Sequence, residues 1–150
     1  MAVAVTVFTL CVTAEPAWSA LTTDELSLLN AMNQVRGEYG LRPLRPDFRL
    51  ERSARAHSAR MLRINRVFHG AFSARIRGVG VRDPRVGENL AWSTGSFARA
   101  RAIVRAWLAS PSHRANLLRP GYRIVGVGAL RGSFAGYRGA LMITTDFAGR

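Results

Sequence analysis

Apolar positions recur at helical spacing over three stretches of this chain and then gather into two β-branched runs near its end. Leu28, Leu29, Met32, Val35 and Tyr39 form the first stripe. Thr22-Thr23-Asp24-Glu25 opens that helix with a hydroxyl or carboxylate cap and acidic side chains, which the positive end of a helix dipole favours, and Gly40 closes it. Pro43 and Pro46 belong to a connecting loop. Asp47 caps a second helix, with Leu50, Ala54, His57, Met61 and Leu62 or Ile64 on its inner face. Residues 68–87, dense in Gly and Arg, read as a long loop.

A third helix is expected over residues 96–109, with Phe97, Ala100, Val104, Trp107 and Leu108 inward, opposite Arg99, Arg101 and Arg105. Ser110 is placed to cap a short following helix, and Pro111 suits its first position. After Pro120-Gly121, residues 124–130 and 140–147 read as antiparallel strands joined through residues 131–139, which hold three glycines. Helices first and strands last predict an α+β fold with helices packed on an antiparallel sheet. There is no internal repeat or low-complexity linker, and 150 residues suit a single domain with one core.

The first residues need a separate reading. Ala2 to Thr13 are almost wholly apolar but too short for a bilayer core, which needs about 20 residues. Ala17-Trp18-Ser19 then supplies small residues at the positions that direct cleavage after Ser19. Residues 1–19 are therefore expected to be an export signal, with 20–150 the mature domain, although no basic residue follows Met1. Cys11, the single cysteine, falls in the leader, so no intramolecular disulfide is expected; Leu10 before it is a poor match to a lipoprotein cleavage site. A secreted or cell-envelope location follows.

Charge sharpens the picture. The 22 basic residues are all Arg and outnumber 9 acidic ones, for a net charge of +13. Such a surface attracts anionic lipid or acidic wall polymer. The arginines are scattered, with no dense run, so no specific nucleic-acid site is expected. A monomer is expected.

Three residues stand out as chemistry. His69 follows Val67-Phe68 just past the second helix, and His113 lies in the first turn of the short helix, where the local positive potential favours a neutral ring. Glu88, in Gly87-Glu88-Asn89-Leu90-Ala91, is one of few acids and lies beside apolar residues, so it needs a partner. Two imidazoles and a carboxylate could bind a divalent cation such as zinc, or form an acid-base group with its orienting partner. Taken singly, each is equally a capped or solvated side chain, or a carboxylate paired with one of the many arginines. His57, mid-helix among core positions, reads as a packed, hydrogen-bonded histidine.

Four segments are similar to the blocks of bacterial CAP-superfamily domains (also SCP-like or pathogenesis-related-1-like). They are Asn33 through Leu44; Ala56-His57-Ser58 through Met61 with Phe68-His69; Gly87 through Ala91; and Trp107 through Leu118 leading into Val125-Gly126-Val127-Gly128. Thr145-Asp146-Phe147 stands where that family ends its last strand. The resemblance implies a three-layer α-β-α sandwich, a small antiparallel sheet flanked by helices, with a cleft lined by two histidines and two acids. His69 and His113 match the metal-holding pair and Glu88 the first acid. The second acid is replaced by Ser110, so the full tetrad is absent, as are the disulfides of eukaryotic members. Asn89 and Asn116 match family positions and read as structural, bonding backbone near the cleft.

The function expected is a non-enzymatic extracellular binding module, with a divalent cation in the cleft and lipid or wall ligand in the surrounding grooves. The alternative is a metal-assisted or acid-base hydrolase of peptide or wall substrates, in which Glu88 activates water. A third role, wall association driven by Arg charge alone, would ignore the cleft.

Overall fold

A computed structural model of the protein describes residues 20–149. The leader read from residues 1–19 lies outside the described residues. Among those described, no helix is long and apolar enough to cross a membrane.

Helix α1 (Thr23–Glu38) begins as its sequence demands: Thr22 Oγ1 accepts from the Glu25 N–H (3.3 Å) and Glu25 Oε2 accepts from the Thr22 N–H (2.8 Å). This reciprocal cap satisfies two otherwise orphaned donors. Asn33 and Arg36 then staple the loop beyond the helix. Asn33 bonds both backbone groups of Leu44, and the buried Arg36 guanidinium donates to the carbonyls of Arg42, Leu117, Arg119 and Tyr122. Strand β1 (Arg45–Pro46) is two residues long. Asp47 caps α2 (Phe48–Arg63) by accepting from the N–H groups of Arg49 and Leu50.

The stretch expected to be a long loop contains α3 (Phe72–Gly78), and its far end enters β2 (Val86–Ser93). Helix α3 is seven residues long and buries only Ile76, too little apolar periodicity to stand out among its arginines. Strand β2 escapes a pattern reading because the face it buries includes a carboxylate, Glu88. The third helix is also shorter than expected. A 3-10 turn (Gly95–Ala98) precedes α4 (Ala100–Ala109), and Arg99 between them is extended. Ile103, Val104 and Trp107 are buried as the stripe requires, but Phe97 is 74% exposed. Pro111 opens α5 (Pro111–Leu117), and β3 (Ile124–Phe134) and β4 (Tyr137–Ala148) form the expected hairpin.

The sheet order is β1-β3-β4-β2, with β1 parallel to β3 and the other pairs antiparallel. Alternation along the strands divides the core. Val125, Val127, Leu141, Ile143 and Phe147 pack with α1, α4 and α5, whereas Met142 and Ala148 face α2 and α3. The result is the three-layer α-β-α sandwich. Helix α2 presses onto β3 so closely that a Cβ at Gly126 would stand 2.0 Å from the Leu50 carbonyl carbon, so only glycine fits there. Glu25, fully buried, ties the layers by accepting from Arg55 of α2 (2.7 Å) and from the Ala129 N–H of β3 (3.4 Å).

Candidate functional site

The edge strand β2 has two faces, and the site uses both. Alternation turns Glu88 toward α2 and α3, while Gly87 and Asn89 face α5. Glu88 is 5% exposed. Its Oε1 accepts from His69 Nδ1 at 2.7 Å, and its Oε2 takes the Arg75 guanidinium of α3. Because a carboxylate only accepts, Nδ1 is the donor, and in the neutral ring Nε2 then carries the lone pair. The His69 side chain is 62% exposed, so that lone pair is open to solvent.

His57 and Phe68 position the segment that carries His69. The buried His57 ring bonds the Phe68 carbonyl through Nε2 (2.7 Å) and meets the Phe68 ring edge-on, with centroids 5.1 Å apart. Burial, reinforced by the charge of Arg75, holds the His57 pKa below the usual imidazole value. This is the packed, hydrogen-bonded histidine expected from the sequence.

His113 approaches from the other side of the strand. The Asn89 side chain donates to the His113 carbonyl (3.0 Å), and Asn116 of the same helix donates to the Glu88 carbonyl (3.0 Å) and to Asn89 Oδ1 (3.0 Å). Gly87 permits this docking, since a Cβ there would lie 2.1 Å from the Tyr122 hydroxyl and 2.7 Å from Asn116 Oδ1. Asn89 and Asn116 are therefore the backbone clamps the sequence suggested. The carbonyls of Glu88 and Leu90 accept from Asn116 and from the Trp107 indole (3.2 Å), which blunts an edge strand that could otherwise pair with another chain.

The His113 ring does not join the Glu88 hydrogen-bond chain. Its Nδ1 lies 3.0 Å from Ser110 Oγ. Ser110 occupies the cap position of α5 but makes no side-chain capping bond, contrary to expectation: its hydroxyl is turned to the histidine instead. Burial first, and then the neighbouring His69, hold the His113 pKa below the ordinary value, so the ring is neutral near pH 7. The structure thus joins His69 to Glu88 directly, while the His113 ring turns to Ser110 and lines a groove of its own.

Three participants escaped the sequence reading. Arg75 donates through Nη1 to Asp146 Oδ2 (2.9 Å) and Ser53 Oγ (3.0 Å), and Ser53 Oγ in turn donates to Asp146 Oδ2 (2.8 Å). Asp146 is fully buried. Burial, with Glu88 adding and Arg75 opposing, pushes its pKa up to about 7. The pairing of Glu88 with one of the many arginines was among the readings of the sequence, but nothing in it singled out Arg75, Ser53 or Asp146. Beside His113 lies a groove of about 440 Å³ lined by Trp92, Phe97, Ile103, Trp107 and Ser110, so Phe97 walls a groove rather than filling the core. A second groove of about 420 Å³ runs between α1 and α4, with Val35, Val104 and Leu108 beneath Arg101 and Arg105.

Residues 29–147 match the cysteine-rich secretory protein family, CAP. YkwD of Bacillus subtilis is 31% identical over 121 residues, which are 77% of this chain and 46% of that one. This chain spans under half the length of the Bacillus subtilis relatives it matches, YkwD and the membrane protein YlbC. An extracellular protein containing an SCP domain from Bacillus anthracis superposes with a TM-score of 0.69 at 25% identity, over 83% of this chain and 40% of that one. An outer surface protein of Borrelia burgdorferi gives a TM-score of 0.73 over 85% of this chain and 92% of that one; at 22% identity it shows the fold alone.

Proposed function

The chain belongs to the cysteine-rich secretory protein (CAP) family, and from that premise we propose that it is an exported binding module whose cleft holds a divalent cation between His69 and His113. The observation that carries the reading is the His69–Glu88 pair. A buried carboxylate fixes the Nδ1 proton and leaves Nε2 as an exposed donor, the arrangement by which proteins orient metal-binding imidazoles. A neutral His113 suits the same use once its Nδ1–H faces Ser110 Oγ. Export is supported by the apolar run over residues 2–13 and by similarity to a Bacillus anthracis protein described as extracellular.

Among the described residues no group of three or more His, Cys, Asp or Glu is gathered into a metal cage. A cation would take two imidazoles from the protein and fill its remaining positions with solvent or ligand, as an exchangeable site does. It would supply positive charge to a ligand whose apolar part, lipid or wall-derived, occupies the groove beside His113. Hydrolysis with Glu88 activating water is disfavoured, because both oxygens of this buried carboxylate already serve His69 and Arg75.

Zinc titration by calorimetry tests the proposal. A micromolar site lost in both His69→Ala and His113→Ala supports it. Undiminished zinc binding in either variant sinks it, and binding of wall polymer that vanishes at high salt but ignores both changes would assign the role to arginine charge.

A further inference from the structure

Glu88 can orient His69 only if the carboxylate itself is held. Rotation about the last bond of a glutamate side chain is soft, and either oxygen can turn toward a neighbour. His57 Nε2 is 3.9 Å from Glu88 Oε2, and its proton is committed to the Phe68 carbonyl at 2.7 Å. The remaining strong donor at Oε2 is Arg75. Its side chain is 19% exposed and runs from α3 into the layer between α2 and the sheet. There it is gripped from two further elements, by Ser53 of α2 and Asp146 of β4.

We propose that Arg75 is the positioning residue of the cleft, a guanidinium clamp that fixes the Glu88 carboxylate so that Oε1 alone is presented to His69 Nδ1. A guanidinium is a planar fork of donors with no acceptor, so its contacts fix direction as well as charge. Asp146 and Ser53 hold Nη1, and Nη2 aligns Glu88 while also reaching Asp146 Oδ1 at 3.5 Å. Without the fork, Oε2 would sit buried with no committed donor, and the carboxylate would be free to swing toward His57. His69 would then lose the acceptor that keeps its proton on Nδ1. The sequence-distant Asp146 thereby acts on His69 through two intermediate side chains. Arg75 is not a ligand in this scheme, and its effect passes entirely through Glu88.

The inference rests on the cation reading for its affinity arm, but not for its structural arm. Protein labelled with 15N-histidine, studied where the His69 ring is neutral, reports which ring nitrogen carries the proton. Wild type is expected to show Nδ1–H. Arg75→Lys keeps the charge and loses the fork; it is expected to give a tautomer mixture and to weaken zinc binding about 10- to 100-fold, as loss of an orienting partner does. A folded Arg75→Lys protein with the wild-type His69 spectrum overturns the inference, because a residue that merely stapled α3 would leave the tautomer untouched. If that variant does not fold, Ser53→Ala carries the test: it removes one grip on the guanidinium and is expected to shift the tautomer partway, and an unchanged spectrum is again refutation. Should wild type bind no zinc while the tautomer still moves in Arg75→Lys, the cation reading fails and the clamp stands.

Discussion

Replacing Glu88 by Gln changes almost no volume and sets two demands against each other. A glutamine has one acceptor oxygen and one donor NH2. Arg75 offers only donors, so the oxygen must face the guanidinium at the position of Oε2. The NH2 is then left pointing at His69 Nδ1, which sits 2.7 Å from the present Oε1 and at present donates to it. Two donors cannot face each other at that distance, so His69 must move its proton to Nε2, the nitrogen that the cation needs. The bond from Arg75 keeps its ionised donor, whereas the bond to His69 falls from charge-assisted, worth about 1.5–3 kcal/mol, to neutral, worth about 0.5–1.5 kcal/mol, a loss near 1 kcal/mol. Arg75 still donates to Asp146 and Ser53, which limits the cost of its burial. Urea unfolding should therefore report destabilisation of about 1 kcal/mol, and zinc titration a fall of at least about tenfold. A Glu88→Gln protein that binds zinc within twofold of wild type, with its His69 proton still on Nδ1, would refute the reasoning.

Two further outcomes follow from the same structure. Trp107 is 2% exposed and its indole caps the Leu90 carbonyl, so Trp107→Ala should cost about 3–5 kcal/mol in urea unfolding; a near-wild-type midpoint would contradict its role as the anchor of α4. Asp146 is raised from 3.8 to about 7, so the fold binds its proton more tightly than the unfolded chain does. That group's contribution is fully present below the unfolded value and is lost as pH rises through about 7. The stability of wild type relative to Asp146→Asn should therefore decline across that window and then level off. A difference that rises with pH would show Asp146 to be ionised throughout. His57 and His113, which favour the neutral form and weaken the fold as pH falls below their ordinary value, are common to both proteins and cancel in this comparison.

What could be read without coordinates was local. The Thr22 and Asp47 caps, the α1 and α2 stripes, the Pro111 helix start and the terminal hairpin all depend on residues within a turn or two of one another, where spacing translates directly into geometry. His69, Glu88 and His113 were legible as candidates because each stands in a short block with a family resemblance. The partners of those residues were not. Arg75 and Asp146 are 71 positions apart, and no periodicity marks which of 22 arginines meets a buried acid. Ser110 and Phe97 were assigned to cap and core by local rules, and the tertiary structure turned one to His113 and the other outward into a groove wall. Strand β2 became legible only once β4 was beside it, because a strand that buries a carboxylate has no apolar alternation of its own. The sequence by itself determined the elements and the types of side chain available. The packing of two helical layers against one sheet edge decided which of them touch, since contacts between distant segments depend on how whole faces fit together.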